Sequence, residues 1–330
     1  MKSKVLIISA RNFGDAIIAA SLAENIGSSE LYEVSVLTKS EYEQIFERSR
    51  NIKKCYYTSL PIASNKKYNI FDFINCCIRV RREQMDIGID ISGDFRERAI
   101  LKLMGVKRII SLERQGEHPY NNLIRKGLAG ICETISIPEK VVNIYESIDY
   151  IYRKLNITPE ENKGMRTKGK IVGIHPFASQ ACRMWPLSRW VIIIDYLISN
   201  NYDVKIFCTD KEKKDIINNI INHEKCHIVS GDLNNFFSNL EKCSLLLCLD
   251  SFAYHAAYSI GVPSIMLNGA NDYRIWKTRN SKVILNEKNE CRYWPCYNVP
   301  KCFDYECIRN IEAQQIMTAI SEFTNGEKFC

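Results

Sequence analysis

The chain has 330 residues, more than one core usually organises and enough for two domains of about 150 residues each. Its 46% hydrophobic and 25% charged content excludes a disordered or fibrous chain, and no run approaches the roughly 18 apolar residues of a membrane span. The net charge of +7 suits an anionic substrate or a membrane surface as well as nucleic acid, so composition does not choose a partner.

The first strand is predicted at Lys4 to Ala10, rich in Val, Leu and Ile as a buried parallel strand should be. It is too short, and too soon interrupted by Arg11, to be a signal peptide, so a cytoplasmic location is expected. Arg11-Asn12-Phe13-Gly14-Asp15 reads as a loop into a helix from Ala16 to Asn25. Gly14 lets backbone come close to a ligand, and Asp15 in the first helical turn is either a cap or a reactive carboxylate. A strand at Glu33 to Thr38 and a helix at Ser40 to Arg48 follow. After a Tyr-rich connection come a helix at Ile70 to Arg82 and a strand at Met85 to Ile91.

Ser92-Gly93-Asp94 opens a helix from Phe95 to Met104 that carries Arg96, Arg98 and Lys102. With Lys107, Arg108 and Arg114 close behind, this reads either as a positive face for an anionic acceptor or as a solvated surface. A helix at Glu139 to Leu155 ends the first half, and Asn156 to Lys170 reads as the linker. The expected domains are 1–160 and 161–330.

The second half opens with a strand at Ile171 to His175 and the segment HPFASQACRMWPLSRW. Ser179 and Arg183 there offer a hydroxyl and a permanent cation that can grip a diphosphate. Pro186 precedes a helix at Leu187 to Ser199. A strand at Asp203 to Cys208, a helix at Lys211 to Ile221 and a strand at His227 to Val229 follow. Asp232 caps a helix at Leu233 to Lys242. Leu245 to Leu249 is a short apolar strand, followed at once by Asp250 and Ser251 and a small-residue helix from Phe252 to Ile260. Gly261-Val262-Pro263 stops that helix, and Ser264 to Leu267 is the next strand. In such a crossover unit the ligand site lies at the carboxyl end of the first strand, where Asp250, Ser251 and His255 gather. A strand at Lys282 to Leu285 and a helix at Ile311 to Phe323 complete the chain.

The fold expected from this order is α/β, with two Rossmann-like domains facing across a cleft. No GxGxxG follows either first strand, and no P-loop, GxSxG or HExxH motif occurs. Most of the 14 cysteines, such as Cys76, Cys77, Cys208, Cys243 and Cys248, lie in apolar segments and are expected to be reduced core residues. Cys291, Cys296, Cys302 and Cys307 differ, being separated by four, five and four residues. Such a set either binds Zn or Fe tetrahedrally or packs a loop as reduced thiols.

Together, Gly14-Asp15, Asn143-Ile144-Tyr145, VGIHPFAS, Arg183 to Pro186, Asp250-Ser251 with His255, GVPSIMLNGAND and the C-terminal cysteines resemble the family-9 glycosyltransferases. These are the ADP-heptose heptosyltransferases of lipopolysaccharide core synthesis. The resemblance spans nearly the whole chain and implies a GT-B fold and an inverting transfer without an essential metal. Asp15 matches the proposed catalytic base, with Gly14, Arg96 and Arg98 on the acceptor side. Arg183 falls where a Lys usually faces the diphosphate. Glu212 matches a ribose contact, Asp250 a sugar contact, and Ser251 and His255 diphosphate contacts; Ser179 joins them. Phe252 stands where the family usually has Gly, which puts the donor's identity in question.

The implied donor is ADP-heptose and the implied acceptor an anionic glycan or glycolipid, either lipopolysaccharide core or O-antigen. Peripheral contact with the inner face of the membrane is part of this expectation; nucleic acid is not. No cofactor is required, although some protein-modifying relatives bind iron through such cysteines. A protein acceptor, a sugar-nucleotide epimerase or hydrolase, and a non-catalytic nucleotide-sugar binder are the competing readings. The last helix is expected to pack back on the first domain.

Overall fold

The computed structural model describes residues 2–59, 69–113, 133–136, 143–159, 169–220, 224–288, 291–297 and 301–326. The chain divides into two compact units, Met1–Glu161 and Asn162–Cys330. Arg114, residues 139–142 of the expected helix and residues 160–168 of the expected linker lie outside the described residues.

In the first unit, β1 (Ser3–Ser9), β2 (Tyr32–Thr38), β3 (Ile52–Tyr57), β4 (Ile87–Asp90), β5 (Arg108–Glu113) and β6 (Glu133–Ser136) form one sheet. Its order is β3-β2-β1-β4-β5-β6 and every neighbouring pair is parallel. β1 is central, so Val5, Leu6, Ile7 and Ile8 are all fully buried, which explains a run that is apolar without alternating. The helices are α1 (Phe13–Gly27), α2 (Glu43–Phe46), α3 (Ile70–Arg82), α4 (Phe95–Leu103) and α5 (Ile144–Lys154). α3 and α4 supply Phe73, Cys76, Val80, Ile100 and Leu101 to the core against Leu6, Ile8 and Tyr56.

β3, β5 and β6 were not expected from the sequence. β3 carries Lys53 and Lys54 on its exposed positions, and β6 reads only Glu-Thr-Ile-Ser. Edge strands need fewer apolar residues, because one side of the ladder is open.

The second unit repeats the plan with β7 (Ile171–His175), β8 (Asp203–Phe207), β9 (Cys226–Val229), β10 (Leu245–Leu249), β11 (Ser264–Leu267) and β12 (Ser281–Ile284). The order is β12-β11-β10-β7-β8-β9, again parallel throughout. In both units the first strand lies beside the fourth. That junction is the switch point where doubly wound sheets bind ligands.

The helices here are α6 (Leu187–Ser199), α7 (Lys213–Ile220), α8 (Leu233–Leu240), α9 (Phe252–Ser259), α10 (Tyr273–Trp276), α11 (Glu306–Arg309) and α12 (Ala313–Thr324). α12 packs on α6, β11 and β12 of its own unit, and its stripe of Ile316, Ala319 and Ile320 is buried in that core. Trp185 and Trp190, edge to face at 5.1 Å, anchor the same core. The Trp185 indole N–H donates to the Ile311 carbonyl at 3.0 Å, tying the start of α12 to the α6 side.

Candidate active site

In the second unit the switch point gathers most of the expected donor residues. Asp250 follows β10 directly and is buried. Burial raises its carboxyl above the usual range, while the Arg183 charge and a hydrogen bond from the Asn271 side-chain amide pull the other way. Arg183 is thus close enough for its charge to act on Asp250. It is carried on a short 3-10 turn, Ala181–Arg183, in the loop after β7. Ser179 is exposed in that loop.

Ser251 occupies the cap position of α9, but its hydroxyl makes no capping bond. The hydroxyl lies instead 3.5 Å from Nδ1 of His175, the last residue of β7. The neighbouring helix start is open too, since Pro186 before α6 offers no side-chain cap. Both helices therefore present a positive end without a side chain closing it, the arrangement that suits an anionic group.

His175 and His255 are both buried, and burial pushes each imidazole down to about 4. They are neutral at physiological pH. His255 therefore brings hydrogen-bonding capacity and no positive charge of its own. Its ring packs edge to face on Trp276 at 5.8 Å. The Phe252 ring meets His175 at 5.4 Å and Phe236 at 5.0 Å, so the side chain that replaces the usual Gly fills an aromatic cluster beside the site.

Glu212 is near enough for its charge to act on His175. One of its carboxylate oxygens accepts from both the amide and the hydroxyl of Thr209 at 2.8 Å, which fixes the turn into α7. Sequence reasoning gave no role to His175 or Asn271. The signal was a His at a strand end and an Asn in the polar loop after β11.

That loop is also where the cysteine segment docks. The Trp294 indole donates to the Gly269 carbonyl at 2.9 Å, and the Cys296 and Tyr297 amides donate to the Ala270 carbonyl. A Cβ on Gly269 would come within 2.7 Å of Ile308, so only glycine allows this approach. Cys291, Cys302 and Cys307 line one cavity of about 870 Å³. Among the described residues, however, no three His, Cys, Asp or Glu side chains are arranged to hold a metal ion.

In the first unit α1 starts earlier than expected, at Phe13, because Asn12 is its cap. The Asp15 amide donates to the Asn12 side chain at 3.1 Å. Asp15 is therefore not the cap; it lies half-buried in the first turn, after Gly14. Asp94 caps α4 by accepting from the Arg96 amide at 2.9 Å, and its carboxylate also holds the Arg96 guanidinium.

Arg98 corrects the expected positive face. It is only 2% exposed, with Nε 3.7 Å from the fully buried Asp90 and a hydrogen bond to the Gly93 carbonyl. A guanidinium enclosed this way holds the turn after β4 and is not presented to an acceptor. Glu97 lies beside it, and burial, with Asp90 next, raises its carboxyl well above the usual range.

Two parallel sheets with Rossmann order, each with a polar switch point, make the architecture of the GT-B glycosyltransferases. Residues 76–308 match the model of glycosyltransferase family 9 (heptosyltransferase), and the chain belongs to that family. Among solved structures it is similar to a family 9 glycosyl transferase from Veillonella parvula DSM 2008, with 14% identity and a TM-score of 0.72 over 98% of this chain and 97% of that one. It is likewise similar to the E. coli heptosyltransferase WaaC with ADP, at 14% identity and a TM-score of 0.70, covering 99% of each chain. The dodecameric iron-containing heptosyltransferase TibC, in complex with ADP-D-beta-D-heptose, matches at 13% identity and a TM-score of 0.56 over 99% of this chain and 79% of that one. No match is found among curated proteins. Among the described residues no helix is long and apolar enough to cross a membrane.

Proposed function

We propose that this glycosyltransferase moves a heptose from ADP-heptose to an anionic saccharide acceptor such as lipopolysaccharide core or O-antigen, with inversion and without a metal. The observation that carries this reading is the set at the second switch point: Arg183, Asp250 and an uncapped Ser251 at an open helix end. ADP and ADP-heptose are what the WaaC and TibC structures hold.

In this reading the acceptor hydroxyl oxygen attacks the anomeric carbon. The bond from that carbon to ADP breaks, and its electron pair leaves on the diphosphate. Asp15 takes the hydroxyl proton. A carboxylate titrates near pH ~3.9 in water, so an ionised Asp can serve as general base, a contribution of about 10² to 10⁴ in rate. Arg183, the Ser251 hydroxyl and the open ends of α6 and α9 meet the charge on the leaving diphosphate, which is the work a metal would otherwise do. Ser179, Glu212 and His255 complete the donor contacts. The protein works at the cytoplasmic face, in peripheral contact with the membrane that carries its acceptor.

The test is incubation of the full chain with ADP-heptose, with and without a phosphorylated core oligosaccharide. Nucleotide release and acceptor mass are both measured. Transfer predicts ADP release that depends on acceptor, one heptose gained, an inverted anomeric centre by NMR, and survival of activity in a chelator. Release without acceptor would mean hydrolysis, and gain of heptose only by a protein substrate would overturn the saccharide acceptor.

A further inference from the structure

Helix α3 of the first unit spends only part of its apolar surface on the core. Phe73, Cys76, Cys77 and Val80 are buried against the sheet. Ile70, Ile74 and Ile78, spaced one turn apart, form an adjoining stripe that faces outward, with Phe71 beside it. The three isoleucines are 47%, 46% and 46% exposed, and Phe71 is 76% exposed. Single apolar residues on a surface are ordinary, but a contiguous set on one helix face, where polar residues usually stand, marks an interaction surface.

The same helix ends in Arg79, Arg81 and Arg82, all exposed. Arg79 reaches back to the Cys76 thiol. Arg81 lays its stem on Gly105 just beyond α4, where Lys102 and Leu103 are also exposed. The nearby carboxylates are already engaged. Glu83 is paired with Lys54 at 2.7 Å and Asp86 with Lys107 at 2.6 Å, while Asp72 accepts from the Thr58 hydroxyl at 2.9 Å. With those pairs set aside, Arg79, Arg81, Arg82 and Lys102 stand against Asp72 alone, so this side carries excess positive charge. The start of α3 also lies at the carboxyl end of the sheet, because Thr58 donates its amide to Thr38 at the end of β2. Asp15, in the turn after β1, stands at that same end.

We infer that the outer face of α3 seats this glycosyltransferase on a membrane surface of anionic lipid. Phe71 and the isoleucine stripe enter the boundary between headgroups and acyl chains, and the arginines meet the headgroup phosphates, the composition of an interfacial helix. A lipid surface fits better than a second copy of the chain. A second copy would bring the same positive excess to the contact, whereas anionic headgroups supply the missing charge. The inference deepens the proposed peripheral contact and rests on that reading for a membrane-held acceptor, but its test uses neither donor nor acceptor.

The experiment is flotation of the full chain with vesicles of phosphatidylcholine alone, and of phosphatidylcholine and phosphatidylglycerol in equal parts, at low and high sodium chloride. Binding should require the anionic lipid and weaken as salt rises. Phe71→Ser combined with Ile74→Ser should lower the vesicle partition coefficient roughly tenfold. Arg79→Gln, Arg81→Gln and Arg82→Gln together should lower it by roughly tenfold or more. Melting curves show whether each variant is folded; if the double apolar variant is not, Phe71→Ser alone makes the comparison and should still lose binding severalfold. Absence of binding by the wild type would overturn the inference, as would equal binding to both vesicles or equal binding by the folded variants. A dimer in sedimentation that Phe71→Ser dissociates, with vesicle binding unaltered, would assign the face to a second copy and overturn it too. Failed vesicle binding would leave transfer to a soluble oligosaccharide to its own assay, and failed transfer would leave vesicle binding standing.

Discussion

The two units share one strand order and differ in how they close the helix ends at the switch point. In the first, Asn12 caps α1 and Asp94 caps α4, each with a side-chain bond to a backbone amide. In the second, Pro186 and Ser251 stand at the corresponding starts of α6 and α9 and make no such bond. A capped end has already used its acceptor on its own amides; an open end keeps donors for a ligand. The diphosphate of a donor is the ligand that most needs those donors. In the proposed reading, helix ends bind the anion in the second half, and the first half works through side chains such as Asp15.

The largest effect that would break this division concerns Asp15. Asp15→Asn keeps the backbone amide that binds Asn12, so the cap survives. The loss of an acid near a positive helix end costs about 0.3–1 kcal/mol at most. Nucleotide affinity, a property of the other unit, should hold. Sugar transfer should fall by about 10² or more. A folded Asp15→Asn with full transfer activity would remove the base and with it the chemical role of the first unit.

A second contrast is in pH response. His175 and His255 belong to the second unit, and burial lowers each from the ordinary 6.5 to about 4. Between those values the unfolded chain binds more protons than the folded one, so their stabilisation is complete above about pH 6.5 and lost as pH falls toward 4. The scale is on the order of a few kcal/mol for both together. Glu97 of the first unit has the opposite sign. Its carboxyl is raised from 4.5, so the folded state holds the extra proton and stability declines as pH rises above the unfolded value. Thermal midpoints from pH 8 to 4.5 should fall on the acid side, and less so in His255→Gln. In Glu97→Gln the decline at higher pH should shrink. Because the two contributions oppose each other, each is read from its own variant: a pH profile unchanged in His255→Gln or in Glu97→Gln would contradict that assignment.

Arg183 comes next. Removing one cation from a diphosphate costs about 1.5–3 kcal/mol, or roughly tenfold to a hundredfold in donor use. Arg183→Ala should show that loss in steady-state kinetics with varied donor, and Arg183→Lys should recover much of it. An unchanged donor KM in Arg183→Ala would reduce Arg183 to a partner of Asp250.

Much of this organisation was legible in the sequence. Buried central strands such as Val5 to Ile8 and Leu245 to Leu249 leave a continuous apolar run, and polar turn residues follow them directly. What was not legible has physical reasons. Edge strand β3 carries Lys53 and Lys54 at exposed positions, so it resembles a loop. Arg98 and Arg96 look alike in sequence, and only the buried Asp90 decides that one is enclosed and the other half-exposed. Position relative to a strand end identified Ser251; it could not tell that its hydroxyl would turn to His175 instead of capping its helix.

The smallest effect tests the opening contrast most directly, because it asks whether the two caps are different in kind. Asn12→Ala removes a side-chain acceptor that α1 uses, so it should destabilise the protein by about 1 kcal/mol, within the usual range of 0.5–2. Ser251→Ala removes a hydroxyl that caps nothing, so the thermal midpoint should stay within the error of a surface substitution, about 0.5 kcal/mol. For ligand affinity the order reverses. Ser251→Ala should weaken ADP binding several-fold by calorimetry, as for about one lost hydrogen bond, and Asn12→Ala should leave it unchanged. Both mutants take one polar group from one helix start, so nothing in residue type predicts the crossing of the two effects. If Ser251→Ala lowers the midpoint as far as Asn12→Ala and leaves ADP affinity intact, the hydroxyl is a cap after all. The open helix end would then no longer distinguish the donor half from the acceptor half.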